Sequence, residues 1–204
     1  MTENIEKLYS QEYFEYLRNR GALRKFVRKF YLRNIRKYCI GKCIDFGCGT
    51  GELLSILPPA SLGFEINQVA VDFCKSQELN VKHYDITKDD YKFEMITKGE
   101  YKTFTMNHVL EHIENSYEVI QKIFESCNRN EIARIVFTVP GYKGFCSDKT
   151  HQTFIDRNYL EKNGLLNNKY YTLKVSKYFP VNCARFGHYF THNELRLVFD
   201  KRND

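Results

Sequence analysis

The sequence predicts an α/β fold: a mostly parallel, seven-stranded sheet with helices on both faces, preceded by an N-terminal helical extension. Three observations predict it. Short runs rich in β-branched and aromatic residues alternate with amphipathic stretches from residue 43 to residue 200. The first strand-to-helix junction, Ile44-Asp45-Phe46-Gly47-Cys48-Gly49-Thr50-Gly51-Glu52-Leu53-Leu54, carries three glycines at alternate positions, the mark of a tight turn at which backbone approaches a ligand. Before it, apolar residues recur every three or four positions.

Taken in order, Phe14, Leu17, Leu23, Phe26, Val27, Phe30, Tyr31 and Ile35 set that spacing between Tyr9 and Tyr38, and Gly21 interrupts it, which predicts two amphipathic helices. The helical extension is placed at 1–40 and the main domain at 41–204. A strand at 43–46 leads through the glycine turn into a helix from Gly51 to Leu57, stopped by Pro58-Pro59. A strand at 61–65, a helix from Gln68 to Ser76 and a strand at 81–84 follow. The second half reads as a strand from Thr103 to Asn107, a helix from Ser116 to Asn128, a strand at 133–139, a helix from Arg157 to Lys162 and a strand at 169–178. Leu195 to Asp200 supplies a last, antiparallel strand.

A chain of 204 residues is long enough to bury one full core with a modest appendage. Hydrophobic residues make up 43% and no apolar run approaches the ~18 residues of a membrane span, so no transmembrane segment is expected. The polar, acidic N-terminus lacks the apolar centre of a secretory signal, which predicts a cytoplasmic protein. Seven cysteines without a C-x-x-C pair fit unpaired thiols in a reducing compartment and imply no metal. The net charge of +6 is concentrated early, at Arg18, Arg20, Arg24, Lys25, Arg28, Lys29, Arg33, Arg36 and Lys37. A well-solvated basic helix face accounts for it; the partners such a face would favour are an anionic membrane at the inner surface, a lipid-linked or phosphorylated substrate, or nucleic acid.

The glycine spacing narrows the ligand. A dinucleotide turn, G-x-G-x-x-G from Gly47, would need glycine at 52, where Glu52 stands; Gly51 comes one residue early. Glu65, 20 residues after Asp45, ends the second strand with a carboxylate suited to two ribose hydroxyls, and Asp85-Ile86 ends the third. Thr105-Met106-Asn107-His108-Val109-Leu110-Glu111-His112-Ile113 ends the fourth. Together these four segments resemble the motifs of class I S-adenosylmethionine-dependent methyltransferases, in the small-molecule and glycan branch of type 11 and type 23 methyltransferase domains. The resemblance runs from about Lys42 to at least Gly164. It implies a Rossmann-like sheet and S-adenosylmethionine as cofactor, with S-adenosylhomocysteine as product. It also implies a donor pocket of Asp45, Gly47, Cys48, Gly49, Gly51, Glu65, Ile66, Asp85, Ile86, Asn107 and His108, and an N-terminal lid to which Tyr9, Tyr13 and Phe14 contribute.

Methyl transfer from a sulfonium is an in-line displacement, so holding the two reactants in line is the protein's main task, and a base helps where the acceptor is a hydroxyl. His112 and His151 are the catalytic candidates, because both fall in loops after strand carboxyl ends and histidine titrates near neutral pH. Asp148-Lys149-Thr150-His151 is similar to a D-x-T-H segment in relatives acting on saccharides, lipids or quinone-like acceptors. His108 and His112 stand four apart like a metal pair, but no third ligand follows at useful spacing, so no metal is expected. Asn107 is not followed by Pro-Pro-aromatic, which disfavours amino-methylation of nucleic acid. The expected function is O-methylation of a small molecule or saccharide, possible lipid-linked or cell-surface glycan precursors included; the alternatives are an RNA methyltransferase and a non-catalytic cofactor-binding module.

Overall fold

The computed structural model describes residues 22–202, with the side chains of 22–26 and 87 left aside. Its centre is one seven-stranded sheet. The strands are β1 (Cys43–Phe46), β2 (Leu62–Glu65), β3 (Val81–His83), β4 (Thr103–Asn107), β5 (Arg134–Pro140), β6 (Tyr171–Phe179) and β7 (Glu194–Lys201). Their spatial order is β3-β2-β1-β4-β5-β7-β6. The first five pair in parallel and β7 lies antiparallel between β5 and β6, as the sequence led us to expect for the last strand. The order reverses between β1 and β4, so the crevice at their carboxyl ends is where an open α/β sheet binds ligands.

The described helices are α1 (Ala22–Arg36), α2 (Gln68–Ser76), α3 (Ile86–Asp89), α4 (Ser116–Arg129), α5 (Tyr142–Cys146) and α6 (Arg157–Lys162). Local chemistry explains their ends. The Asn67 side chain accepts from the amides of Val69 and Ala70 and starts α2; Asp156 accepts from the Tyr159 amide and starts α6. On α4, Val119, Ile120, Ile123, Phe124 and Cys127 recur at helical spacing and are all buried against the sheet.

The central strands are buried on both faces, hence their near-continuous apolar runs. One face holds two aromatic groups: Phe46, Phe64, Tyr84, Phe93 and Phe104 at one end, Phe124, Phe137, Tyr171 and Phe199 at the other. The other face packs Leu32 and Ile35 of α1 against Cys43, Leu54, Val71, Val136 and Val198. The extension is therefore part of the core from at least Leu32 onward. Tyr9, Tyr13, Phe14 and the basic residues Arg18 and Arg20 lie outside the described residues, as do the side chains of Arg24 and Lys25.

One expected element is replaced. In place of a helix from Gly51 to Leu57 the chain forms a single 3-10 turn, Leu54–Ile56. Gly51, at φ +74°, cannot enter a right-handed helix, and Leu57, preceding Pro58, is extended at ψ 165°. Between these two limits the chain completes only the one 3-10 turn.

Candidate active site

The candidate donor half lies at the ends of β1, β2 and β4. Asp45 is 2% exposed, and its Oδ1 accepts from Thr105 Oγ1 at 2.8 Å and from Asn107 Nδ2 at 3.4 Å. Burial pushes its carboxyl up to about 7, against the lowering effect of those two donors. After Asp45 the backbone folds back: the amides of Gly47 and Cys48 both donate to the Phe64 carbonyl. Gly47 sits at φ +69°, and a Cβ there would meet Val109 Cγ2 at 2.6 Å; Gly51 would likewise drive a Cβ to 2.4 Å from Leu79 Cδ1. The turn thus requires glycine for conformation and for space.

Glu65 joins the turn to β2. Its Oε2 accepts from the Gly49 amide at 2.7 Å, and its Oε1 accepts from the amides of Ile66 and Asn67, each at 2.9 Å. Three backbone donors orient the carboxylate: Oε1 accepts two of them, and Oε2, which accepts one, keeps a second lone pair for a ligand hydroxyl. Cys48 is buried, and its Sγ lies where a Cβ on Gly63 would meet it at 2.8 Å, so the thiol fills space under the turn. Asp85 is mostly buried, 3.4 Å from Lys88 Nζ, and Ile86 packs beside it on the core. Asn107 Oδ1 is a buried acceptor with no hydrogen-bond partner. Beside Asp45, that atom and the carboxylate suit an ammonium group.

Beyond Asn107 a line of alternating charge runs away from the donor half. His108 adopts φ +55°, a conformation that side chains other than glycine seldom take. This turns its ring so that Nδ1 lies 3.0 Å from Glu111 Oε1 and Nε2 lies 3.1 Å from Glu194 Oε1. Glu194 Oε2 in turn lies 3.3 Å from Arg196 Nη2, and the Arg196 guanidinium covers the Phe179 ring at 4.7 Å. Burial alone would push the His108 imidazole down, but the two carboxylates outweigh it and hold His108 up at about 10. Burial also works against the Glu194 charge, yet His108 and Arg196 bring its pKa below the ordinary carboxylate value. His108 is therefore an imidazolium clamped between two acids, with its ring nitrogens occupied, and does not form a pair with His112.

His112 ends the 3-10 turn Leu110–His112, and His151 comes from the loop after α5. Their ring centroids are 4.7 Å apart. The loop is fixed by main chain: the amides of Gln152 and Thr153 both donate to the Glu111 carbonyl, at 2.7 and 3.1 Å. His151 Nδ1 donates to the Phe145 carbonyl at 2.8 Å, and its ring stacks on Phe145. His112 Nδ1 meets Thr150 Oγ1 at 2.9 Å. Burial lowers the His112 pKa from its ordinary value, opposed by Glu111 and assisted by His151. The two histidines singled out from sequence are thus brought together, although 39 positions separate them.

Glu194, Arg196 and Arg28 were not legible as site residues. Arg28 of α1 pairs with Glu52, the residue after the third glycine, so the extension is bonded to the donor turn. Glu111 stands in the sequence inside the segment that ends the fourth strand, and an acid flanked by His108 and His112 was the available signal.

A family model described as a methyltransferase domain matches residues 10–203. Among solved structures, magnesium protoporphyrin IX methyltransferase from Synechocystis PCC 6803, crystallised with S-adenosylhomocysteine, superposes with TM-score 0.63 at 15% identity, over 97% of each chain. The N-methyltransferase NodS from Bradyrhizobium japonicum WM9, also crystallised with S-adenosylhomocysteine, gives 0.63 at 12% identity, over 98% of this chain and 97% of that one. Geranyl diphosphate C-methyltransferase from Streptomyces coelicolor A3(2) gives 0.61 at 10% identity, over 95% of this chain and 83% of that one. A search of curated proteins returns no match. At these identities the structures establish a shared fold, the Rossmann-like methyltransferase sheet, and the match of the family model over nearly the whole sequence establishes the family. The chain belongs to the methyltransferase-domain family.

Proposed function

We propose that the chain transfers a methyl group from S-adenosylmethionine to a hydroxyl oxygen of a small molecule, with a saccharide as the preferred class, and releases S-adenosylhomocysteine. The donor supplies an electrophilic methyl on a sulfonium. Asn107 Oδ1 and Asp45 suit its ammonium, the amide-oriented Glu65 its ribose hydroxyls, and the Asp85-Ile86 corner its adenine. The demethylated product, S-adenosylhomocysteine, is bound in the crystals of two of the structural neighbours.

The acceptor half is carried by one observation: His112 and His151 converge 4.7 Å apart beyond the donor half, on backbone anchored to Glu111. His112, held below its ordinary pKa, is in its basic form at neutral pH and suits uptake of the acceptor's hydroxyl proton. Positioning supplies the larger share of rate, up to ~7 to 11 kcal/mol in favourable intramolecular cases, and a general base typically ~10²–10⁴-fold more.

An anionic or lipid-linked acceptor is favoured by Lys29, Arg33 and Lys37, which stand four apart and exposed along the second half of α1 and just beyond its end. Work at the inner face of a membrane, in a reducing compartment, agrees with seven free cysteines, of which Cys146 and Cys183 are exposed. Among the described residues no helix is long and apolar enough to cross a membrane.

The test is incubation with methyl-labelled S-adenosylmethionine and a cell extract fractionated into glycan, lipid, RNA and small-molecule pools. Label in the glycan or small-molecule pool, bound through an alkali-stable ether, is the expected result. Label confined to RNA, or to a nitrogen, would overturn the proposal.

A further inference from the structure

We infer that Glu111, His112 and His151 form a binding site for one first-row divalent cation such as Mn²⁺, Co²⁺ or Zn²⁺. Sequence spacing alone offered His108 and His112 and no third ligand. The fold changes the set: His108 is taken up by Glu111 and Glu194, and the loop after α5 delivers His151 in its place. Among the described residues, one ligand atom from each of Glu111, His112 and His151 lies within 4.8 Å of the others. Two imidazoles and one carboxylate are a donor set that such cations accept. Ligands around one ion at ~2.1 Å sit roughly 3.3 Å apart, so binding requires the three groups to close by about 1.5 Å.

Three features prepare the site. Glu111 is 1% exposed and its Oε2 has no hydrogen-bond partner, which is costly for a carboxylate oxygen unless a cation is its partner. His151 Nδ1 is bonded to the Phe145 carbonyl, which fixes the proton on Nδ1 and leaves the Nε2 lone pair, 4.0 Å from Glu111 Oε1, for coordination. His112 is set the same way through a side-chain relay. Thr150 Oγ1 donates its own proton to Asp148 Oδ1 at 2.7 Å, so towards His112 it acts as acceptor, and the His112 proton resides on Nδ1. Both rings thus present Nε2, each through a bond made at the other nitrogen, as ligating histidines do.

Three protein ligands leave coordination positions for other oxygens. That these would be acceptor oxygens rests on the O-methylation reading. Cation binding itself does not depend on that reading.

The experiment is calorimetric titration of the metal-stripped full chain, saturated with S-adenosylhomocysteine, with Mn²⁺, Co²⁺ and Zn²⁺ in turn, with visible absorption to follow Co²⁺ coordination. One equivalent should bind. Glu111→Gln, His151→Ala and Thr150→Val should each weaken binding at least tenfold, while His188→Ala, an exposed histidine outside the cluster, should not. Retained S-adenosylhomocysteine affinity in each variant shows that it is folded. Failure of all three ions to bind stoichiometrically, or equal affinity in the folded variants, would overturn the inference. Because no acceptor is used, such a failure leaves the O-methylation proposal standing, and a failed methylation assay leaves metal binding standing.

Discussion

The Arg28 guanidinium of α1 is paired with the Glu52 carboxylate, directly after Gly51 of the donor turn. The two groups are about a third exposed, so the pair contributes at most ~1 kcal/mol to stability. Its consequence is positional. Tyr31, one helical turn further along α1, donates to the His192 carbonyl at 2.6 Å near Glu194. The extension therefore braces both the donor turn and the charged line from His108 to Arg196.

Arg28→Ala should accordingly raise the dissociation constant for S-adenosylmethionine by about three- to tenfold, with a loss of stability within ~1 kcal/mol. Titration calorimetry and thermal melts of Arg28→Ala, Glu52→Gln and the double variant measure this. A double variant no worse than either single one is expected if the pair acts as a unit. Additive losses would show that the two residues act separately.

The pairing also separates two roles of the basic leader. Arg28 serves the donor turn, whereas Lys29, Arg33 and Lys37 are exposed. Reversal of Lys29, Arg33 and Lys37 to Glu should reduce sedimentation with vesicles rich in anionic lipid at least tenfold and leave S-adenosylmethionine affinity unchanged, each basic residue near such a surface contributing about 1 kcal/mol. Equal loss of both would place these residues in the donor half.

Gly47 provides a sharper test of the turn. Its φ of +69° costs a side chain roughly 1–2 kcal/mol, and the added Cβ would also meet Val109 Cγ2 at 2.6 Å. Gly47→Ala should lower stability by about 2 kcal/mol and abolish measurable donor binding, because Gly47 opens the turn that folds back on the Phe64 carbonyl and sets the Gly49 amide on Glu65. Unchanged affinity would show that the turn tolerates a shift.

Most of the scaffold was legible because its signals are local. β4, α2 and α6 occur at the residues their patterns indicated, since burial periodicity and the side-chain caps at Asn67 and Asp156 lie within each segment. The helix expected at Gly51–Leu57, whose stop at Pro58-Pro59 was visible, failed at its start, where the apolar pattern conceals that Gly51 is left-handed. The site was legible in proportion to its contiguity. Asp45, the glycines and Glu65 belong to one βα unit and its successor strand. By contrast, the partnership of His108 with Glu194 spans 86 positions and depends on β7 inserting antiparallel beside β5, which no local periodicity encodes.

Asp45 makes a prediction about pH. In the unfolded chain its carboxyl ionises near 3.8, whereas burial in the fold raises it to about 7. Between those values the folded state binds the additional proton, so this group's contribution to stability is full below pH 4 and declines as pH rises towards 7. The loss is on the order of a few kcal/mol at its upper end. Asp45→Asn removes the titration and keeps a side-chain oxygen to accept from Thr105. Thermal melts of the ligand-free protein should therefore show the wild type losing ground to Asp45→Asn steadily from pH 4.5 to pH 7. Parallel curves for the two proteins over that range would mean that Asp45 ionises in the folded chain as readily as in the unfolded one, and that Thr105 and Asn107 fully offset its burial.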